Sequence, residues 1–203
     1  MGTLPVAMAI PVLALGAESD PVRSWGVEIG GGLLVFDPNV TNIPRGSSDT
    51  VIDPQFEVSV GRSLSSRLML RLSAAYADGT ESAWESRSGG HADIPTPSIT
   101  SVIVGLESSL LVGRVIPVAG IGGGFTHFSR IDEEIRFEWP SSTESNRFHL
   151  DAQTDPTLLF DLGLVVPAGP TLSAVVRYRL LSVFDGDEVD TLDQVTLTGR
   201  FGF

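Results

Sequence analysis

From Ser24 to Phe203 the chain alternates apolar and polar residues with a period of two, and one parity of that alternation excludes charge altogether. Successive side chains of a β-strand point to opposite faces, so this period is the signature of strands, not helices. Strands are predicted over Ser24–Phe36, Asp53–Arg62, Arg67–Ala77, Ile99–Leu111, Val115–Phe128, Pro156–Pro167, Thr171–Val183 and Thr191–Phe203. One face takes the odd positions 27–35, the even positions 56–60, 68–76 and 102–110, the odd positions 115–125, the even positions 158–166 and 172–180, and the odd positions 195–203. None of these 39 positions carries a charged residue. An arginine or lysine facing hydrocarbon at mid-bilayer costs roughly 2–4 kcal/mol, so lipid enforces such an exclusion.

The opposite parity is rich in glycine and polar residues. A soluble barrel of lipocalin type turns its apolar face inward, which here would leave glycine facing water. Small residues suit the crowded interior of a narrow barrel instead. The connections agree with this. Ser63–Ser66, Val112–Arg114 and Ala168–Pro170 are tight turns, whereas the segments after Phe36, Ala77, Phe128 and Val183 are long or acidic. Short turns at one rim and longer loops at the other, with Trp25 and Phe203 at one edge and Phe36, Phe56, Tyr76 and Phe125 at the other, predict two interfacial aromatic girdles. The predicted fold class is all-β, an eight-stranded antiparallel up-and-down transmembrane β-barrel over residues 18–203, with both termini on the periplasmic side of a bacterial outer membrane.

Ahead of the strands, Met1 to Ala17 carry no charge and end in the small-x-small pattern Ala14-Leu15-Gly16, which reads as the apolar part of an incomplete signal peptide that lacks the usual basic start. No stretch elsewhere is long and apolar enough for a membrane helix. The chain has no cysteine, which excludes disulfides and thiolate metal sites. All 13 basic residues are arginine, and the net charge of −12 argues against nucleic acid as a partner.

Charge also sorts by predicted position. Four acids (Glu28, Glu57, Glu107, Asp161) and four arginines (Arg71, Arg177, Arg179, Arg200) fall on the inward parity and balance. The periplasmic side holds Glu18 and Asp20 against Arg23, Arg62, Arg67 and Arg114, a net +2, and the outer loops hold the remaining −14. An unpaired ion in a narrow, poorly hydrated lumen is costly, so the balanced inner set predicts a cross-linked ionic plug instead of an open pore.

The last nine residues, Val195-Thr196-Leu197-Thr198-Gly199-Arg200-Phe201-Gly202-Phe203, alternate apolar and polar and end on phenylalanine. This resembles the terminal signal that the barrel-assembly machinery recognises, with Phe201 and Phe203 as its aromatic positions. Ile116-Pro117-Val118-Ala119-Gly120-Ile121-Gly122-Gly123-Gly124-Phe125 resembles the proline-then-glycine strand of opacity and OmpA-type barrels. The resemblance spans residues 24–203 and implies the barrel without naming a task.

Two motifs suggest chemistry. His127-Phe128-Ser129 is similar to the His-x-Ser at the outer end of a strand in lipid A deacylases, although Arg130 replaces their asparagine and Glu134 or Glu138 only loosely matches their acid. A histidine base beside a serine would activate it for attack on an ester. Asp185-Gly186-Asp187-Glu188-Val189-Asp190 offers hard oxygen ligands of the kind calcium takes, but without EF-hand spacing, and is read as a solvated acidic loop. Ile131–Trp139, with Phe148 and Leu150 across a turn at Ser141–Asn146, is predicted to prolong two barrel strands above the membrane. The expected function is therefore non-enzymatic, without cofactor or metal: a closed barrel in contact with lipid bilayer and lipopolysaccharide, whose acidic outer loops serve envelope integrity or meet an extracellular partner. A lipid A acyl hydrolase using His127 and Ser129 is the alternative, and a small-solute channel the third reading.

Overall fold

The computed structural model describes residues 24–36, 47–48, 50–85, 89–110, 114–186 and 188–203. The expected leader, Met1–Ala17, and the turn residues Val112 and Gly113 lie outside the described residues. Eight strands close into an antiparallel barrel: β1 (Trp25–Phe36), β3 (Val51–Ser63), β4 (Leu68–Ala77), β7 (Ile99–Ser109), β8 (Ile116–Phe128), β11 (Gln153–Pro167), β12 (Leu172–Asp185) and β13 (Glu188–Gly202). Each pairs with its neighbours along the chain, and β13 returns to β1 from Gly26↔Gly202 to Phe36↔Leu192. The seam is finished by reciprocal backbone bonds, Trp25 N–H to the Phe203 carbonyl and Phe203 N–H to the Trp25 carbonyl, both 2.9 Å. Closure leaves no unpaired edge, which a bilayer requires because it offers no water to backbone amides. No helix among the described residues is long and apolar enough to cross a membrane.

The outward parity is the charge-free one. Leu197 (61%), Leu162 (60%) and Phe125 (59%) are among the most exposed of its side chains, while Glu57 and Arg177 on the inward parity are fully buried. An apolar belt therefore surrounds a charged interior, the reverse of a soluble barrel. Phe56, Tyr76 and Phe125 are exposed on the belt, as are Trp25 and Phe203 at the opposite rim. Phe36 departs from the expected girdle. It shares its parity with Glu28 and Leu34, faces the lumen and is 2% exposed.

Glycine sets how tightly the wall can curl. A Cβ on Gly124 would lie 1.9 Å from the Val102 carbonyl oxygen on β7, and one on Gly32 would lie 2.0 Å from the Val195 oxygen on β13. Those oxygens are backbone atoms and cannot swing aside, so any side chain there must push two strands apart.

The loops hold more structure than expected. β2 (Ser47–Ser48), β5 (Glu81–Glu85), β6 (His91–Pro95), β9 (Ile131–Trp139) and β10 (Ser142–Leu150) form a second sheet of order β10-β9-β6-β5-β2 at the rim where the longer loops lie. The β9–β10 hairpin thus joins strands from two other loops, where the sequence suggested only an extension of barrel strands. Its turn is Pro140-Ser141, and Ser142–Asn146, expected as turn, is strand. Ala92, Ile94 and Ile135, with Phe137 and Phe148 packed on them, give this cap its own small core. The fourth loop, expected to be long or acidic, is a tight hairpin in which Asp185 pairs with Glu188 and Gly186 takes a left-handed φ of 59°.

The barrel's dependence on inward glycine is testable by gel mobility of unheated samples. Gly124→Ala is expected to lose most of the compact, heat-modifiable band. Gly199→Ala, whose Cβ would meet nothing closer than 3.6 Å, is expected to keep it. A Gly124→Ala protein that folds like wild type would contradict this reading of the wall.

Candidate functional site: the lumen and its cap

The eight inward ionic residues come from β1, β3, β4, β7, β11, β12 and β13, and the closed wall brings them together at the barrel centre and toward the rim of short turns. Arg177 sits at their middle. Its Nη2 lies 2.6 Å from Glu107 Oε2 and 3.0 Å from Glu28 Oε1, and its Nη1 lies 3.8 Å from Asp161 Oδ2. Arg71 bonds Asp161 and reaches Glu107 at 3.3 Å. Arg200 donates from Nε to Glu28 at 2.6 Å and from Nη2 to Glu107 at 2.7 Å. Arg179 Nη1 is 2.6 Å from Glu57 Oε2, close but off the line of a hydrogen bond, and its Nε is 3.9 Å from Asp161. The Thr198 hydroxyl donates to Glu28 at 3.2 Å. All eight therefore belong to one connected web, and only Arg200, with 15% of its side chain accessible, approaches solvent.

Glycine also makes room for this web. A Cβ on Gly120 would fall 2.4 Å from Asp161 Oδ1, in the space the carboxylate occupies between Arg71 and Arg179.

A second layer, not anticipated from the sequence, lies above the web. Leu34, Phe36, Val51, Ala77, Ile99, Ile103, Phe128, Leu159, Leu181, Val183 and Leu192 all face inward in the half of the barrel nearer the cap and form one buried cluster. Buried among them is a hydroxyl chain in which Thr157 donates to Thr126 at 2.9 Å and Ser101 pairs with Thr126 at 3.0 Å. A smaller cluster, Val118, Val165 and Val175, lines the opposite end of one wall. The signal for the upper plug was present: Leu33–Phe36, Leu158–Phe160 and Leu180–Leu181 are apolar on both parities.

Outside the lumen, the charged face of the cap centres on Asp132. Arg147 holds it through Nε at 2.7 Å and Nη2 at 3.0 Å, Arg130 at 3.3 Å, and His149 lies 3.8 Å away. The Arg147 hydrogen bonds, with the charges of Arg147, Arg130 and His149, keep the Asp132 carboxyl below its usual value of 3.8. A carboxyl depressed in the folded state stabilises above its ordinary pKa and loses that contribution as pH falls through the lower folded value. This clamp on the β9–β10 hairpin therefore holds at neutral pH.

The structure gives His127 and Ser129 different partners. His127 is exposed at the end of β8 and its Nδ1 pairs with the Thr154 hydroxyl at 2.8 Å, while Ser129 Oγ accepts the Ser98 N–H at 2.9 Å. Ser129 lines a polar groove under the cap with Thr80, Thr96, Ser98 and Arg130. Phe201 and Phe203 lie outward and exposed beside the closing seam. β12 runs through Asp185 and β13 begins at Glu188, so Asp185 and Glu188–Asp190 are paired strand around a turn at Gly186, and Asp187 lies outside the described residues. Among the described residues no group of three or more histidine or acidic side chains is placed to hold a metal ion.

No protein family and no curated protein matches the chain. Solved structures do match its fold. Neisserial surface protein A is 10% identical with a TM-score of 0.57, over 88% of this chain and 97% of that one. A major outer membrane protein from Thermus thermophilus is 11% identical with a TM-score of 0.54, over 88% and 99%. Ail, the attachment invasion locus protein of Yersinia pestis, is 14% identical with a TM-score of 0.52, over 89% and 99%. The chain thus has the fold of eight-stranded outer-membrane β-barrels.

The web's energetic role has a direct check. Arg177→Leu leaves Glu28, Glu107 and Asp161 short of a partner in a buried site. Unfolding in urea from lipid vesicles is expected to show a loss of roughly 3–5 kcal/mol. A loss under about 1 kcal/mol would mean that the carboxylates find other partners.

Proposed function

We propose that the protein is a non-enzymatic barrel of the bacterial outer membrane, closed to solutes, that presents an acidic β-sheet cap to the surroundings for surface interaction or envelope integrity. The observation that carries this reading is the combination of a charge-free outward belt with a lumen filled along its length. The belt supports placement in a bilayer. The ionic web and the apolar cluster above it are stacked in series, so an ion entering from either end meets a barrier. An ion faces fixed opposite charges in the web and loses its hydration in the plug.

In this reading both chain ends lie on the periplasmic side, and the cap faces outward among lipopolysaccharide. Phe201 and Phe203 serve the barrel-assembly machinery during insertion. The cap's exposed face carries Asp93, Asp132, Glu134 and Glu138, so an extracellular partner meets mostly negative charge there. Ail has been solved in complex with the heparin analogue sucrose octasulfate. The acidity of this cap disfavours a polyanion of that kind and favours a neutral or cationic partner. The acyl hydrolase reading finds no support in the separate partners of His127 and Ser129.

Planar-bilayer recording tests closure. The folded wild-type protein is expected to insert without steady single-channel steps. Large, long-lived currents would overturn the closed-lumen reading and favour the channel.

A further inference from the structure

We infer that the rim of short turns carries a binding site for the phosphate-bearing headgroup of an anionic glycerophospholipid, centred on Arg62 and Trp25 and flanked by Arg67 and Arg114. This rests on the bilayer-spanning reading above and adds to it a headgroup preference at one leaflet.

The first observation is where the unpaired cations are. Ten arginines are described, and six of them (Arg71, Arg130, Arg147, Arg177, Arg179 and Arg200) sit against carboxylates. The other four have no carboxylate partner among the described residues, and three of those, Arg62, Arg67 and Arg114, gather at the same rim. In a chain with 25 acidic residues against 13 basic ones, cations at one edge of the belt that have no acid partner among the described residues fit an anion supplied from outside.

The second observation is how Arg62 is held. It lies on the outward parity of β3, paired in register with Trp25 of β1, and its guanidinium sits 5.5 Å from the Trp25 ring centroid. Stacking on the ring neutralises no charge, so the guanidinium keeps its hydrogen-bond donors for a phosphate. The indole is 45% exposed at the edge of the belt, the level that tryptophan takes between hydrocarbon and headgroups. Phe201 (49%) and Phe203 (75%) lie exposed beside it and offer an apolar wall for the lipid's acyl chains. Arg67 and Arg114 are exposed in the neighbouring turns and extend the positive charge around the rim. A cation near a membrane surface attracts an anionic headgroup more strongly than a zwitterionic one.

Tryptophan fluorescence reads the site directly. Trp84 and Trp139 belong to cap strands, so acyl-chain bromines, which quench at short range, report on Trp25. The full chain is folded into vesicles of mixed phosphatidylglycerol and phosphatidylcholine, with one lipid brominated and then the other. Brominated phosphatidylglycerol is expected to quench beyond its mole fraction, and Arg62→Gln to reduce that preference about fivefold. Arg62→Lys should retain most of it, and the heat-modifiable band confirms that each variant is folded. Equal quenching by the two lipids, or an undiminished preference in folded Arg62→Gln, would overturn the site while leaving the membrane reading intact. No quenching by either lipid would overturn both.

Discussion

A bilayer offers neither water nor counter-ions, and this constraint orders everything else in the molecule. Every backbone group in the spanning region has to find its partner in the wall, so eight strands must close, and the β1–β13 seam completes the ring. Every charge in that region has to leave the outer face. It can go into the lumen or beyond a rim, and the sequence uses both destinations. The eight lumen ions balance one another, and much of the remaining acid lies in and around the cap.

The lumen then has to solve a problem of its own. Eight ions in a space barely wide enough for side chains are tolerable only when each is within reach of an opposite charge. Glycine makes this possible twice over. Gly32 and Gly124 let neighbouring strands approach closely, and Gly120 vacates the space that Asp161 fills. Above the ions the same inward parity becomes largely apolar, from Leu34 and Phe36 on β1 to Leu192 on β13, with Asp53, Asp155 and the hydroxyl chain buried among the apolar side chains. The web holds the strands to one another through directed contacts, and the plug packs the space beneath the cap.

The barrel was legible in the sequence because both of its determinants are local. Parity is read along one strand, and the absence of charge from 39 outward positions needs no knowledge of partners. The inward parity of the eight web residues was legible for the same reason, whereas Asp53 and Asp155, which also lie buried on the inward side, were counted with the outer loops. What parity could not supply was depth: Phe36 belongs to an inward set that changes from charged to apolar along the barrel axis, so it is a plug residue and not a girdle residue. The cap was hidden for a different reason. Its sheet joins Ser47–Ser48, Glu81–Pro95 and Ile131–Leu150, segments far apart in the chain whose pairing is set by the barrel beneath them. β5 and β6 have only five residues each, too short for alternation to stand out. The Trp25–Arg62 stack likewise depends on the register of β1 against β3, which sequence alone does not fix.

The charges sealed inside this barrel are held by one another, and a double-mutant cycle on Glu57 and Arg179 measures that hold. The pair is almost wholly buried, 2.6 Å apart, and joined to the rest of the web only by the 3.9 Å contact of Arg179 with Asp161. Unfolding free energies are measured in lipid vesicles for wild type, Glu57→Leu, Arg179→Leu and the double variant. Each single change is expected to be costly, and the double variant to be more stable than the sum of the two by roughly 2–3 kcal/mol. Simple additivity, with each loss independent of the other, would contradict it.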